Sequence, residues 1–561
     1  MSDYDQPGQM QGNNQNIALR PLNKGMMRNI SPQLLPMGAF YDVQNAIVTE
    51  NGPLRRPGFK LSGAQGTALD TAHWPLLDAF RFNFNGSNEI LVITSTSVVK
   101  FDFITGFSTI TGGTDIFTTD KISNVDWAVI DNAGQANALF ADGSGYIYVY
   151  NGSDVSEWDA TYASPKVLEW AENRVFIGAP SSSEGNKLVW SGLNQPTSLG
   201  AGDYVIFSDQ QDTITRVKKM GNLLVVFFPQ GIYFGRPTNQ YELPFAFTMV
   251  QTGGIGLVGK KAVTEYDDGL FFVGQDDVYF FSANSSLIPV GSPIVNEMIK
   301  DCSKKEAIYC ATDPVNDSLI VGVPGASDTI EELWYFNYKA KAWSHSPLSC
   351  DMIATLGIYT SFKWTDAETE NDYSTNPDND PSTQTMTLNG TEIDSWGNDA
   401  GAALTDTFAT AGFPTWRSLE QSISVNDLFI ASDGQLFFSD DLSSGDDSAG
   451  LISYVIETGD IDLNAPDTDK TFNRLSLKVD RIMDTPITFD VFTSRDRGRN
   501  WIYRGAMRVE VDSDETYVNF RAKGSTCRFR ISSVSECDPY IVNEIIIRGR
   551  GRGLQTDGGG V

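Results

Sequence analysis

Residues 222–235, NLLVVFFPQGIYFG, carry the pattern from which the fold of this chain can be predicted. An apolar run is followed by a Pro-Gln-Gly turn and then by a second run with two aromatic residues. β-Favouring residues on both sides of a short turn predict a β-hairpin.

Five more stretches repeat this hairpin pattern, and a strand-like segment precedes each of the six. The five are EILVITSTSVVKFD (89–102), NALFADGSGYIYVYN (137–151), NRVFIGAP…NKLVWSG (173–192), DGLFFVGQDDVYFFS (268–282) and DSLIVGVP…ELWYFNY (317–338). The preceding segments begin near Leu76, Val125, Val167, Ile214, Ala262 and Ala307. A period in the forties with several short strands per repeat is typical of β-propeller blades. A large β-sandwich is the alternative, but its turns recur every 8–12 residues without a coarser period. We therefore expect an all-β protein with a six-bladed β-propeller over 76–347.

Composition changes along the chain predict the other regions. Residues 364–469 contain 22 Asp and Glu but a single basic residue, Arg417. Such a run predicts a long solvated loop or tip, within which SVNDLFIASDGQLFFSDD (424–441) is a hairpin with an Asp-Gly turn. The expected regions are a flexible arm (1–30), entry strands leading into the propeller (31–75), the propeller (76–347), an acidic insertion or tip (348–450), a β-sandwich-like domain (451–553) and a flexible tail (554–561).

The overall charge and the scarcity of histidine restrict the function. A formal net charge of −30 argues against the basic grooves with which proteins grip DNA nonspecifically. His73 and His345 are the two histidines, which leaves little material for Ser-His-Asp or multi-histidine metal chemistry. The five cysteines form no CxxC pair, so neither a zinc module nor a disulfide scaffold is expected. We expect no cofactor, no enzymatic activity and no export signal.

The entry region contains NGPLRRPG, in which Arg55 and Arg56 lie between two turn signals, Gly52-Pro53 and Pro57-Gly58. Two cations in a stiff segment suit a phosphate site, a solvated turn or a docking contact. In a chain this acidic we expect Arg55 and Arg56 to pair with acids of this or a neighbouring subunit, as an inter-subunit or adaptor contact.

SRDRGRNW at 494–501 fits the S-x-D-x-G-x-x-W pattern of the Asp-box of sialidases. Ser494, Asp496, Gly498 and Trp501 are expected to form a tight structural turn, in which Asp496 accepts hydrogen bonds from turn amides. A propeller with an Asp-box keeps a glycosidase, depolymerase or glycan-receptor function open as the alternative. The single copy lies outside the repeats, which favours a structural role.

Two glycine-containing motifs and several acidic clusters are weaker signals. GGIGLVGKK at 253–261 contains G-x-G-x-x-G but leads into a strand, so a dinucleotide site is not expected. IRGRGRG near the C-terminus resembles a short RGG tract, for which a frayed tail is the simpler interpretation. The acids could bind Ca²⁺, but none has EF-hand spacing. We expect them to line or rim a channel or tip; they are Asp378, Asp380, Asp440, Asp441, Asp446 and Asp447.

The order of these segments, taken together, resembles a known family. QLLPMGAFYDVQNAIVTENGPLRRPGF, NRVFIGAP…LVWSGLNQPTSL and FTMVQTGGIGLVGKKAV…GLFFVGQDDVYFFSANSSLIPVGSPIVNEMI precede a strand-rich region with SRDRGRNW. In this order they are similar to the tail-nozzle proteins of short-tailed bacteriophages, also called packaged-DNA stabilisation proteins or tail tubular protein B.

The resemblance implies a homohexamer around a channel in the virion tail, assembled in the host cytoplasm. Its implied partners are the head-to-tail adaptor and portal, a tail fibre or tailspike, and a needle-like plug. Double-stranded DNA would pass through without tight binding, and contact with the host cell envelope would be indirect. The resemblance implies no catalytic residues.

Overall fold

The fold is described from a computed structural model. The described residues are 14–61, 69, 75–84, 87–102, 106–117, 125–159, 162, 164–251, 254–266, 269–282, 286–326, 328–359, 385–388, 391–394, 424–439, 446–447, 450–463, 468–481, 486–510, 513, 515–534 and 540–551. The chain divides into two compact units, residues 1–355 with 428–561 and residues 356–427.

Six consecutive four-stranded meanders fill residues 76–346 of the first unit. Runs of consecutive apolar residues form the inner strands of the meanders, because one face of such a strand packs on the preceding meander and the other on the next. The first three meanders are β6 (Leu76–Phe84), β7 (Ser87–Thr94), β8 (Val98–Asp102), β9 (Gly106–Thr109); β10 (Asp126–Asn132), β11 (Gln135–Ala141), β12 (Ile147–Tyr150), β13 (Val155–Asp159); and β14 (Val167–Ala171), β15 (Arg174–Gly178), β16 (Lys187–Gly192), β17 (Gln195–Ile206).

The other three meanders have the same order. They are β18 (Arg216–Met220), β19 (Leu223–Phe228), β20 (Gly231–Pro237), β21 (Phe245–Gln251); β22 (Val263–Tyr266), β23 (Gly269–Val273), β24 (Val278–Ser282), β25 (Leu287–Pro289); and β26 (Tyr309–Asp313), β27 (Ser318–Pro324), β28 (Ile330–Asn337), β29 (Ala342–Ser346). The first strands begin within two residues of the six starts expected from the repeat. The all-β propeller fold is confirmed.

The first and last meanders contact each other. The hydroxyl of Tyr309, at the start of β26, donates to the backbone carbonyl of Leu77 in β6 at 2.8 Å. Cys310 N–H donates to Lys261 O at 2.8 Å, which joins the sixth meander to the fifth. The starts of the first strands therefore converge at one end of the propeller axis.

Outside the six meanders, the strands come from the two ends of the chain, and all of them except β31 and β32 lie wholly or partly in the first unit. The N-terminal strands are β1 (Asn14–Leu19), β2 (Asp42–Gln44), β3 (Ala46–Thr49), β4 (Gly52–Arg55) and β5 (Phe59–Leu61). The later strands of the chain are β30 (Met352–Tyr359), β31 (Thr385–Leu388), β32 (Thr391–Asp394), β33 (Ser424–Ser432), β34 (Gln435–Ser439), β35 (Asp446–Asp447), β36 (Gly450–Leu451), β37 (Tyr454–Glu457), β38 (Lys470–Arg481), β39 (Ile487–Ser494), β40 (Ile502–Val509), β41 (Glu515–Gly524), β42 (Arg528–Ser533) and β43 (Tyr540–Gly551).

One nine-stranded sheet joins the propeller to the C-terminal strands. Its order is β26-β27-β28-β29-β2-β37-β42-β39-β40, so β2 lies between the last meander and the C-terminal region. A second sheet has the order β3-β4-β43-β38-β41, with β1 also paired to β43. Apolar residues from the propeller and from both of these sheets share one hydrophobic core, including Trp334, Tyr454 and Ile547. The entry and C-terminal regions are therefore continuous with the propeller core.

Two sequence-based expectations about the ends of the chain are corrected. Residues 14–19, expected within a flexible arm, form β1, which pairs antiparallel with β43 from Asn14↔Arg550 to Leu19↔Ile545. Arg548 and Arg550, for which the RGG-like tract favoured a frayed tail although the expected β-sandwich-like region extended to residue 553, lie in β43. The cause is the alternation of β43, which buries Ile545 and Ile547 and so gives this segment a core face. Residues 1–13 and 554–561 lie outside the described residues.

The entry turn and the acidic hairpin agree with expectation. Gly52 has a φ of 139°, and a Cβ there would lie 2.3 Å from Val542 O, so the turn after β3 needs glycine. β33 and β34 form the hairpin around Asp433-Gly434. In the second compact unit, β31 and β32 form an antiparallel hairpin.

Helical structure in the described part of the chain is limited to short turns. They are a π-helical turn, Asn296–Lys300, and a 3₁₀ turn, Lys305–Ala307. Within the described ranges, no helix has the length and apolar character needed to cross a membrane.

Candidate functional site: the axial cluster and the junction network

Five charged residues meet where the first strands converge, and we call Asp78, Asp126, Arg216, Lys260 and Lys261 the axial cluster. Asp126 in β10 of the second meander pairs with Arg216 in β18 of the fourth, and both side chains are buried. Asp126 Oδ2 also accepts the Leu168 N–H at 3.0 Å, which ties in the third meander. Its members therefore fix several meanders to one another.

Asp78 supplies the second half of the axial cluster. Its Oδ2 accepts a hydrogen bond from Trp127 Nε1 at 2.7 Å and pairs with Lys261 Nζ. Lys260 Nζ donates to the Lys166 backbone carbonyl. The two carboxylates thus lie among three cations, and Asp126 pairs with Arg216 and Asp78 with Lys261.

Burial dominates the electrostatics of the axial cluster. Desolvation lowers the pKa of Arg216 to about 10, although nearby acids including Asp78 act in the opposite direction. Desolvation also lowers the pKa of Lys260 well below its ordinary value, and the charges of Arg216 and Lys261 add to that effect. Such perturbed groups mark functional sites in many proteins, but buried ion pairs that hold a fold together produce the same shifts. Here the partners belong to different meanders, which favours the structural interpretation.

A second set of contacts joins the propeller, the entry segment and the C-terminal strands; we call it the junction network. Asp42 Oδ1 in β2 lies 2.8 Å from His345 Nε2 in β29 and 3.0 Å from Arg28 Nη2. The guanidinium of Arg28 lies 4.6 Å from the ring centroid of Tyr41, and that of Arg528 lies 4.5 Å from the same centroid. Tyr41 therefore connects the two arginines.

Arg528 carries the junction network into the C-terminal strands. It pairs with Glu457 Oε1 at 3.0 Å through Nη1 and with Asp460 Oδ1 at 2.9 Å through Nε. Glu457 also binds Arg530 at 3.1 Å, and Arg530 lies 4.1 Å from the Trp501 ring centroid. Glu457 and Asp460 belong to the acidic window, so part of that window is buried and paired rather than solvated.

Arg55 and Arg56 lie inside the protein, with 1% and 3% of their surfaces exposed. Arg56 Nε donates to Asn45 Oδ1 at 3.0 Å and to Ser346 Oγ at 3.2 Å, and Nη1 donates to Pro57 O at 3.0 Å. Arg55 Nη2 donates to Ile452 O at 3.5 Å. The solvated-turn alternative does not describe Arg55 and Arg56, because both side chains are buried. Burial leaves these guanidiniums almost no surface with which to touch another protein, and the hydrogen bonds of Arg56 connect the entry segment to β29.

The Asp-box-like turn has the expected internal geometry. Ser494 Oγ donates to Asp496 Oδ1 at 2.7 Å, and the amides of Gly498 and Asn500 donate to Ser494 Oγ and Asp496 Oδ1, each at 2.9 Å. The Asn500 amide and the Ser494 hydroxyl lower the pKa of Asp496. The carboxylate is thus occupied by its own turn. A cavity of about 610 Å³ beside it is lined by Asp460, Asp462, Arg495, Arg497 and Arg499, among others.

The remaining predicted residues are distributed as follows. Asp446 and Asp447 form β35, paired with β36. Asp378, Asp380, Asp440, Asp441 and His73 lie outside the described residues. In the described part of the chain, no three His, Cys, Asp or Glu side chains are grouped to hold a metal ion. The axial cluster and the junction network were missed from sequence, because their members are single charges spread over several hundred residues.

Comparison with known proteins gives low similarity to solved structures and no match among curated proteins. PorZ of Porphyromonas gingivalis, a surface component of the type-IX secretion system, is 11% identical with a TM-score of 0.31, over 54% of this chain and 35% of its own. This chain therefore spans about a third of PorZ. BamB of Moraxella catarrhalis is 11% identical with a TM-score of 0.31, over 68% and 97%. The extracellular domain of BT4673 of B. thetaiotaomicron is 10% identical with a TM-score of 0.37, over 81% and 46%.

Part of the propeller matches the model of one protein family. Residues 106–318 match the phage stabilisation family described as "Bacteriophage P22 Gp10, beta-propeller". The matched segment runs from β9 through the start of β27 and is less than half of the chain. This match supports a structural protein of bacteriophages, and hence a virion component, with a β-propeller as its central domain.

Proposed function

We propose that the chain is the subunit of a hexameric nozzle in a short bacteriophage tail. The six meanders are the blades of one propeller in each subunit, and the subunits surround a channel that retains packaged DNA and conducts it during ejection. The observation that carries this proposal is the family match over residues 106–318. The head-to-tail adaptor and a fibre or spike are the partners that such a subunit would hold.

The axial cluster supports a structural role over catalysis. Ligand and substrate sites are concave and combine an apolar lining with a few convergent polar groups. At the described end of this propeller axis, the convergent polar groups are buried and paired with one another. A propeller closed in this way suits a rigid platform.

The junction network supports a platform that transmits load between its parts. The nine-stranded sheet joins the last meander to β37 through β2, and apolar residues of these strands share one core. The net charge of −30 is also suited to a conduit, because each phosphate contacted by Lys or Arg adds affinity and slows passage.

Negative-stain images of the purified protein, alone and mixed with its adaptor, test the proposal. We expect sixfold rings with a central channel, at least in the presence of adaptor, and no release of sugar from host-surface polysaccharide. Monomers in both samples together with saccharide cleavage would overturn the nozzle proposal in favour of a glycosidase or depolymerase.

A further inference from the structure

A row of polar residues crosses the sheet that contains β1, β43, β38 and β41. The register places Asn16 opposite Arg548, Arg548 opposite Arg474, and Arg474 opposite Asn519. Directly opposite residues on neighbouring strands project to the same face. The next residues along, Ile547 and Leu475, are buried in the core, so the row lies on the outer face. We call this set, with Asn473 and Arg550, the arginine row.

Sheet stability does not account for the arginine row. Like charges directly opposite each other on adjacent strands are destabilising, and Arg474 and Arg548 are such a pair. Within the described part of the chain, Arg548 is exposed and has no hydrogen bond or ion pair. The acid nearest along β43, Glu544, lies four residues away and is paired with Lys478 at 3.0 Å and Arg20 at 3.5 Å.

Arg474 is held in place by neutral groups. Its Nε donates to Asn519 Oδ1 at 2.8 Å, and its guanidinium lies 4.2 Å from the ring centroid of Tyr517, whose surface is 54% exposed. These contacts fix the orientation of the guanidinium without neutralising it. A preorganised planar fork is suited to bidentate recognition of phosphate.

The arginine row surrounds a cavity of about 330 Å³ that is lined by Asn16, Asn473, Arg474, Asn519, Arg548 and Arg550. Arg548 and Arg550 are two residues apart on one strand, a separation of about 6.8 Å, and Arg474 lies about 5 Å across the sheet from Arg548. Arginine, asparagine and tyrosine side chains are those through which proteins bind the phosphates of nucleic acids.

The structure assigns the arginine row as a binding site for the sugar–phosphate backbone of DNA, at about three phosphates. The inference rests on this sheet face and not on the nozzle, because a monomer would also carry the site. In a nozzle, the arginine row would bind DNA weakly and in a salt-dependent manner, although the net charge of the whole protein repels DNA. Asn16 contributes from β1, so the N-terminal strand is part of the site.

Equilibrium binding of the full chain to labelled oligonucleotides tests the assignment. Fluorescence anisotropy with a 20-base-pair duplex and with a 20-nucleotide thymidine strand is measured from 20 to 150 mM salt. Three duplex phosphates predict a slope of about −2.7 for log K against log salt concentration. Arg548→Gln and Arg474→Gln should each reduce the magnitude of that slope by about 0.9. Comparison of the two oligonucleotides shows whether the site prefers duplex or single-stranded DNA.

Arg508→Gln is the matched control, because Arg508 is exposed, does not line the cavity and pairs with Glu510. Arg508→Gln changes the net charge by the same amount as Arg548→Gln, but it should leave the slope of log K against log salt concentration unchanged. Because Arg548 is exposed, we expect its variant to fold normally, and the thermal unfolding midpoint of Arg548→Gln checks this. No DNA binding at 20 mM salt, or equal effects of Arg548→Gln and Arg508→Gln, would overturn the proposal. Self-association of the protein that Arg548→Gln abolishes, without DNA binding, would overturn it in favour of a contact between copies.

Discussion

Asp42 Oδ1 lies 2.8 Å from His345 Nε2, and this contact joins the entry strand β2 to β29, the last strand of the sixth meander. The same carboxyl oxygen pairs with Arg28 at 3.0 Å. β2 shares its other edge with β37, so this carboxylate lies at the seam between the propeller and the C-terminal strands.

Asp42→Asn should destabilise the whole first compact unit. Removing one partner of a buried ion pair leaves the other charge buried and uncompensated, at a cost of about 3 kcal/mol. For a compact unit of this size we expect the midpoint of thermal unfolding to fall by about 3 °C. Asp480→Asn, an exposed change on β38, is the control and should leave the midpoint unchanged. Equal midpoints for the wild type and Asp42→Asn would show that the seam is held by packing alone.

The same pair should produce a pH dependence of stability. Burial alone would raise the pKa of Asp42, but the hydrogen bond and charge of His345 and the charge of Arg28 lower it below its ordinary value. A carboxyl with a lowered folded-state pKa stabilises the protein above its unfolded pKa of about 3.9, and loses that contribution as pH falls through the folded pKa. The difference in unfolding midpoint between wild type and Asp42→Asn should therefore shrink from pH 5 to pH 2. A difference that grows on acidification would contradict this assignment.

Arg56→Gln should weaken the chain itself before it affects any assembly. The substitution removes hydrogen bonds from a buried guanidinium to Asn45, Ser346 and Pro57, a loss of about 3 kcal/mol, while Ser346 Oγ still donates to Asn45 Oδ1. Differential scanning calorimetry should show a lower unfolding midpoint. Arg20→Gln, at a side chain that is 69% exposed, should not. Normal thermal stability of Arg56→Gln together with weakened ring formation would instead support a contact of Arg56 with a neighbouring subunit or adaptor.

Asp126→Asn should be destabilising, and Arg216→Met should partly rescue it. The single change leaves Arg216 as a buried cation without its partner, whereas the double change replaces an ion pair by neutral groups. Thermal unfolding is measured for Asp126→Asn, for Arg216→Met, for the double variant and for the exposed control Glu157→Gln. The double-mutant cycle gives the interaction free energy between Asp126 and Arg216. We expect the double variant to recover about 1 kcal/mol or more relative to Asp126→Asn. Strict additivity of the two changes would show that the axial pair is not coupled.

Asp496→Ala should loosen one turn and leave the rest of the protein intact. Its carboxylate accepts the Asn500 amide and the Ser494 hydroxyl, so the amide of Asn500 loses its partner. Hydrogen–deuterium exchange should accelerate over residues 496–501, while Arg499→Gln on the same turn should not change it. Loss of a saccharide-cleaving activity in Asp496→Ala would instead assign the turn a catalytic role.

The sequence by itself determined the repeated elements, because each meander is a local pattern of two apolar runs around a turn. The starts near Leu76, Val167 and Ile214 could be read from that period. The Asp-box-like turn was also predictable, since Ser494, Asp496 and Gly498 lie within five residues and bond to one another.

Only the tertiary structure decided where single charges meet. Asp42 and His345 are 303 positions apart, and the period of the repeat carries no information about which loops face each other. Likewise Arg474 and Arg548 are neighbours through the register of β38 with β43, which the burial of Ile545 and Ile547 in the core fixes. Local patterns arise from short-range backbone and side-chain preferences, whereas charge clusters depend on long-range packing that orders all of these elements together.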